Sequence, residues 1–437
     1  MRKSLPLVFA VLSAAAAGAA PLAFTGEASK PDALYGEGEE VVLTLSLMAD
    51  GAPTSMPIRA TLSIPGKVKP VVTDATTDAG GKYTAKVKPD LPGWVLLEAC
   101  VLNDKGRPTP TRTQCGAIYR ADAIKAALPP PADFADFWKK EIAALDKIPF
   151  NAKLTEVEIP AEQNKDGKIQ GAEFALDCVG PHPSTGFIAK PRDAAPKSLP
   201  IIVAFQGASG VRAWKSWYYG DVAISVTTSK FGLPNQLTDA EYAEMGYNVN
   251  AIYKLSKESA TNICDNVFKW MILRDLRAIQ YAKSLPEWDG KTLIVNGESL
   301  GGGQSIACGA LDPDVSLVCA CVPALSDHNG RLAGRRNGWP QLWEPDDDGK
   351  PIDEGNAKIS ETSRYIDNVN FLSMITPGKE VTIGTGFLDT TCPPEGVYAA
   401  FNAIPTNVVR HIWTNPKAGH GAGNLHGGQR IQSILGK

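Results

Sequence analysis

The run Lys291-Thr292-Leu293-Ile294-Val295-Asn296-Gly297-Glu298-Ser299-Leu300-Gly301-Gly302-Gly303-Gln304-Ser305-Ile306-Ala307 decides how this chain folds. Lys291 to Val295 is a short, mostly apolar run of the kind that forms a strand buried on both faces. Gln304, Ile306 and Ala307 belong to a helix. Between the two stands Gly-x-Ser-x-Gly, at Gly297, Ser299 and Gly301. The pentapeptide alone is a weak signal, and its bland reading is a Gly-rich turn with a solvated serine. The strand before it and the helix after it make it specific, because a strained strand-to-helix turn lifts a serine above a sheet. A Cβ at either flanking glycine would clash with the neighbouring strand or helix. Ser299 is the candidate nucleophile, and the amide of Leu300 is the first candidate oxyanion donor.

Outward from this turn, the chain after about residue 125 alternates strand and helix. Pro200 to Phe205 is a continuous apolar run, and Val315 to Val322 and Lys379 to Ile383 follow the same style. A helical pattern starts at Asp265, runs through Trp270, Leu273, Leu276 and Ile279, and ends near Pro286. Such alternation predicts a mostly parallel sheet with helices on both faces. Gln206-Gly207-Ala208-Ser209-Gly210 leaves an early central strand, so the amide of Ala208 is the second candidate oxyanion donor.

A nucleophilic serine needs a base, and the base needs an orienting acid. His420 lies in the loop Lys417-Ala418-Gly419-His420-Gly421, just after the predicted strand His411-Ile412-Trp413. His411 falls inside that strand pattern and His426 lies in the tail, so His420 is the favoured base. Asp389 follows the strand Lys379 to Ile383 on a turn, from which a carboxylate reaches a histidine on the next loop. Asp367 and Glu380 are the bland alternatives, since most such residues are simply solvated. The chain order serine, aspartate, histidine is that of the α/β-hydrolase fold.

The first part of the chain has another rhythm. Val41 to Leu47 and Ile58 to Ile64 alternate apolar and polar residues. Asp78-Ala79-Gly80-Gly81 turns into a further strand, and Trp94 to Val101 follows. With no helical period between them, these predict an antiparallel β-sandwich over residues 20–124, in which no Cys-Trp-Cys spacing establishes an immunoglobulin pattern. Leu128-Pro129-Pro130-Pro131 then breaks both periods, and Asp133 is placed to cap a helix carrying Phe134, Phe137, Trp138, Ile142 and Leu145. The hydrolase domain is assigned to residues 125–437.

The 437 residues carry a formal net charge of −3, and no basic cluster speaks for nucleic acid. Residues 1–19 have the pattern of a signal peptide: Arg2 and Lys3, the apolar stretch Leu5 to Ala17, then Ala17-Gly18-Ala19. No later segment offers about twenty uninterrupted apolar residues. The expectation is a secreted or periplasmic protein without a membrane span. Export permits disulfides among the eight cysteines, with Cys100 and Cys115, on successive strands, the best candidate pair. Cys319 and Cys321 read as small core residues, because no histidine or second close cysteine pair completes a zinc pattern.

From Pro131 to the C-terminus the sequence resembles the acetyl xylan esterase / cephalosporin C deacetylase family. Ala132-Asp133-Phe134-Ala135-Asp136-Phe137-Trp138 is similar to its opening helix, Ser299-Leu300-Gly301-Gly302-Gly303 to its S-Q-G-G-G elbow, and Asp389-Thr390-Thr391-Cys392-Pro393-Pro394 to its D-x-x-C-P-P turn. Val322-Pro323-Ala324-Leu325 resembles its V-P-F-L segment. The resemblance implies Ser299, Asp389 and His420 as a triad, with no metal and no cofactor. It implies removal of acetyl groups from acetylated oligosaccharides or polysaccharides such as xylan, and a homo-oligomer of the kind seen in many family members, which form hexamers. Gln206, Gly207 and Pro323 are placed at the substrate. Gln206-Gly207-Ala208 stands where the family usually has H-G-Y, and Leu300 where it has Gln, while the sandwich is absent from its simplest members. A serine peptidase or longer-acyl esterase is the competing enzyme, and a carbohydrate-binding surface protein with a degenerate hydrolase domain is the competing non-enzyme.

Overall fold

The computed structural model describes residues 21–67, 69–215, 217–344 and 352–437. The proposed signal peptide lies outside the described residues.

Among the described residues, nine strands form two sheets in the first part of the chain. They are β1 (Leu22–Ala28), β2 (Leu34–Tyr35), β3 (Val41–Ala49), β4 (Ala52–Pro53), β5 (Pro57–Ser63), β6 (Val71–Thr76), β7 (Lys82–Val87), β8 (Gly93–Leu102) and β9 (Pro108–Tyr119). One sheet has the order β1-β3-β4, with β7 also paired to β3, and the other has the order β2-β9-β8-β5-β6. All pairs are antiparallel except β2–β9. The period-two reading of β3 holds: Val41, Leu43, Leu45 and Leu47 are buried and the residues between them are less so. In β8 the first five residues are buried on both faces. Val95, Leu97, Ala99 and Val101 fill the sandwich. Trp94 points the other way, its indole meeting the Phe387 carbonyl.

That register also explains why the expected Cys100–Cys115 disulfide is not present. Cys115 pairs opposite Leu97, and Cys100 pairs opposite Arg112. Three positions separate Leu97 from Cys100, so the two thiols project from opposite faces of the sheet. All eight cysteines are free.

The helix α1 (Phe134–Asp146) opens the second part of the chain and buries Phe134, Trp138 and Leu145. Asp133 sits at its N-cap position without capping it, because its carboxylate accepts a hydrogen bond from the Tyr365 hydroxyl instead, at 2.5 Å. A nine-stranded sheet follows: β10 (Lys153–Glu156), β11 (Ile169–Leu176), β12 (Ser184–Pro191), β13 (Leu199–Phe205), β14 (Ile224–Thr228), β15 (Trp288–Glu298), β16 (Leu317–Cys321), β17 (Glu380–Gly386) and β18 (Val409–Asn415). Its order is β10-β11-β12-β14-β13-β15-β16-β17-β18. The first four strands in that order pair antiparallel, and the pairs from β14–β13 to β17–β18 are parallel.

The helices are α2 (Asp239–Glu244), α3 (Ala251–Glu258), α4 (Val267–Ser284), α5 (Leu300–Leu311), α6 (Glu354–Ser363), α7 (Asn368–Ser373), α8 (Pro394–Asn402) and α9 (Leu425–Leu435). Asn266, rather than Asp265, caps α4, its side chain accepting from the Phe268 amide at 2.9 Å. The central strands alternate their burial between two cores. Ile201, Val203, Leu293 and Val295 pack with α4 and α5, while Ile202, Ile294, Leu317 and Cys319 pack with Ile431 and Leu435 of α9. Helices thus cover both faces, as the apolar runs required. Among the described residues no helix is long and apolar enough to cross a membrane.

Candidate active site

The strand order reverses at β13, which has β14 on one side and β15 on the other. Loops leaving the carboxyl ends of neighbouring strands diverge at such a point and leave a crevice. Ser299 stands there, between the last residue of β15 and the first of α5, with φ 59° and ψ −121°. This is a strained conformation for a residue with a Cβ. The glycines beside it are forced: a Cβ on Gly297 would come within 2.4 Å of the Gly301 carbonyl carbon, and one on Gly301 within 2.1 Å of the Phe205 oxygen. The elbow is tied down by its own peptide groups. The Ser299 amide donates to the Cys321 carbonyl at 2.9 Å, and the Ser299 carbonyl accepts from Gly303 at 3.1 Å and Ala324 at 2.9 Å.

His420 lies between Asp389 and Ser299. Its Nδ1 is 2.9 Å from Asp389 Oδ2, and its Nε2 is 2.9 Å from Ser299 Oγ. Asp389 is fully buried, and its other oxygen accepts from the amides of Thr391 and Cys392, both at 2.9 Å. Burial works against the charged imidazole. The hydrogen bond and charge of Asp389, with the charge of Glu298, outweigh it and raise the His420 pKa above the ordinary histidine value. The parallel register sets the two loops side by side: Gly386 pairs with Asn415, and the amides of Phe387 and Leu388 donate to the carbonyls of Asn415 and Ala418 at 3.1 and 3.0 Å.

Leu300 is the first residue of α5, where an amide has no partner within the helix. Gly207, in the loop that also carries Ala208, lies against Ser299, and a Cβ on it would sit 3.7 Å from the Ser299 Cβ. Lys230 is wholly buried, and its ammonium donates to the carbonyls of Ser209 and Gly210 at 3.3 and 2.8 Å, which pins the far end of this loop. Burial pushes its pKa down to about 7, against the opposing charge of Asp275. Gln206 is 2% exposed, and neither atom of its side-chain amide has a partner among the described residues. Pro323 is buried with its ring near Gly302, on the first turn of α5.

Cys392, the cysteine of the turn that starts at Asp389, is buried, and burial keeps its thiol pKa well above the ordinary value. Two contributors had no sequence signal of their own. Glu298 bears on His420 through its charge. Lys230 reads as an ordinary surface lysine. Elsewhere, the rings of His411 and His426 stack with centroids 4.2 Å apart, and they and Glu380 bring ligand atoms within 4.8 Å of one another. Arg430 already pairs with that Glu380, at 2.8 Å.

The acetyl xylan esterase (AXE1) family model matches residues 121–435, starting just after β9, and the chain belongs to that family. The acetyl esterase Axe7A of Xylanibacter ruminicola is 28% identical over 295 residues, which are 65% of this chain. The match spans 63% of that relative's length. Among solved structures, the acetyl xylan esterase from Paenibacillus sp. R4 superposes with a TM-score of 0.59 at 21% identity, covering 72% of this chain and 98% of its own. Acetyl xylan esterase 1 from Thermoanaerobacterium sp. JW/SL YS485 gives 0.58 at 21% identity, covering 72% and 97%. These structures share the α/β-hydrolase fold with this chain.

Proposed function

We propose that this member of the acetyl xylan esterase family is an exported two-domain serine esterase that removes acetyl groups from acetylated xylan or xylo-oligosaccharides. The observation that carries the reading is the unbroken line from the Asp389 carboxylate through His420 to Ser299 Oγ, with 2.9 Å at each step.

In this mechanism His420 Nε2 takes the Ser299 proton as Oγ attacks the acetyl carbonyl. Asp389 keeps the proton on Nδ1, so that Nε2 stays free to accept, and stabilises the imidazolium that forms. The amides of Leu300 and Ala208 donate to the tetrahedral oxyanion, where losing one donor typically costs about 3 kcal/mol of barrier. Collapse breaks the bond to the sugar oxygen, which leaves with the proton from His420. Water, deprotonated by His420, then attacks the acetyl-Ser299 ester and releases acetate. Gly207 leaves room beside the nucleophile for the acetyl group. Export rests on the pattern of residues 1–19, and the homo-oligomer implied by the family resemblance belongs to the same proposal, to be measured by light scattering.

Acetate release from acetylated xylo-oligosaccharides of increasing length, by the wild-type chain and by Ser299→Ala, tests the reading. Wild-type release with loss of at least a thousandfold in the variant supports it. Release by Ser299→Ala at the wild-type rate, or a preference for butyryl or aminoacyl esters over acetyl, overturns it.

A further inference from the structure

We infer that the N-terminal sandwich is a positioning element of the hydrolase site, with Trp94 and Gln114 holding the turn that carries Asp389. This rests on the triad reading above.

Three residues on the outer face of β8 and β9 meet that turn. The Trp94 indole N–H donates to the Phe387 carbonyl at 2.9 Å, in a buried contact. The Gln114 amide donates to the Leu388 carbonyl at 3.2 Å. Gly116 lets the strand approach so closely that a Cβ there would lie 2.2 Å from the Phe387 oxygen. Phe387 and Leu388 are the two residues before Asp389. Their amides point the opposite way and donate to the loop that carries His420. The acid turn is therefore gripped on one side by the histidine loop and on the other by the sandwich. A second fastening lies just beyond it. Glu395, nearly fully buried at the start of α8, accepts from the Trp94 amide at 3.1 Å and from the Arg336 amide at 2.7 Å. The Arg336 guanidinium stacks 5.0 Å over the Trp94 ring. A domain attached only for ligand capture would need no hydrogen bonds to the peptide groups flanking the acid.

The test uses the full chain with Trp94→Phe, which keeps an aromatic ring but loses the donor, and with Gln114→Ala. Asp389 and Glu298 are the charged groups acting on His420, and the thiols of Cys392 and Cys321 lie near Asp389. Trp94→Phe is expected to lower kcat about tenfold, the worth of one buried hydrogen bond in the barrier, with KM unchanged. The acid limb of kcat/KM moves to lower pH as Asp389 loosens its hold on His420. Gln114→Ala shows a smaller change in the same direction, and because its side chain is only half-buried it serves if Trp94→Phe does not fold. Folded variants with wild-type kcat and an unmoved limb overturn the inference. So does a fall in kcat without movement of the limb, the signature of general destabilisation. Ser299→Ala is assayed in parallel: its inactivity beside wild-type behaviour in Trp94→Phe defeats this inference alone, whereas its full activity defeats the triad reading as well.

Discussion

Replacing Asp389 with Asn changes one atom and reverses the function of the histidine. Oδ1 of Asp389 accepts from two backbone amides, those of Thr391 and Cys392, at 2.9 Å each. In the variant the side-chain carbonyl must keep that place, because an NH2 group there would face two donors and leave all of them unpaired in a buried site. The NH2 then points at His420 Nδ1, where the carboxylate oxygen stood at 2.9 Å. Nδ1 has to accept, so the imidazole proton moves to Nε2. An Nε2–H cannot take the proton of Ser299. The two backbone bonds survive and the volume is unchanged, so the fold holds. The expected loss is about ten-thousandfold in kcat, or roughly 5 kcal/mol of barrier, with little change in KM. Initial rates on p-nitrophenyl acetate, with circular dichroism to establish folding, measure it. A folded Asp389→Asn enzyme within tenfold of the wild-type kcat would refute both the tautomer reasoning and the assignment of the acid.

Three further outcomes follow from the same geometry. His420 must be neutral to act as a base and its pKa is raised, so kcat/KM should fall with decreasing pH around a midpoint above the ordinary histidine value, and Glu298→Gln should shift that midpoint down; a profile unmoved by the substitution contradicts this. Gly301→Ala places a Cβ 2.1 Å from the Phe205 carbonyl oxygen, and denaturant unfolding should show a loss of about 1–3 kcal/mol, an unchanged midpoint being the contrary result. Arg335 and Asp327 form a buried ion pair at 2.7 Å, with side chains 5% and 2% exposed. Arg335→Met should destabilise by about 3–5 kcal/mol at neutral pH by stranding the carboxylate. Adding Asp327→Asn should recover much of that, and equal stability of the two variants would count against it.

What could be read in the sequence was what local geometry dictates. The elbow needs glycine at 297 and 301 because neighbouring carbonyls lie within 2.5 Å of where a side chain would start, and that constraint is visible as a pattern. The order Ser299, Asp389, His420 was visible because each residue follows a strand of the parallel sheet. Features set by pairing between distant segments were not. The antiparallel flank β10-β11-β12 and its junction with β14 depend on long-range register. The Cys100–Cys115 pairing failed on strand parity, which succession of strands alone does not reveal. Asp133 had the right position for a cap but lost its carboxylate to Tyr365, 232 residues away in the chain.

The docking of the sandwich belongs to this second class, for a reason specific to the acid turn. The position of Asp389 is set by peptide groups: two amides bind its carboxylate, two amides before it bind the histidine loop, and two carbonyls before it accept from Trp94 and Gln114. Every residue type except proline presents the same N–H and C=O. The identities of Phe387 and Leu388 therefore carry no sign of what they bind, and the contact imposes identities only on the partner side: donors at Trp94 and Gln114, which read as ordinary strand residues, and Gly116, which must get out of the way. A glycine inside a strand pattern signals close approach of another backbone. In this chain that single position, opposite Leu96 in β8, was the trace the interface left in the sequence. The apolar run at Trp94 to Leu97 was its companion: four successive buried residues need a cover on each face, and one sandwich sheet supplies only one of them. The other is the loop that carries Asp389.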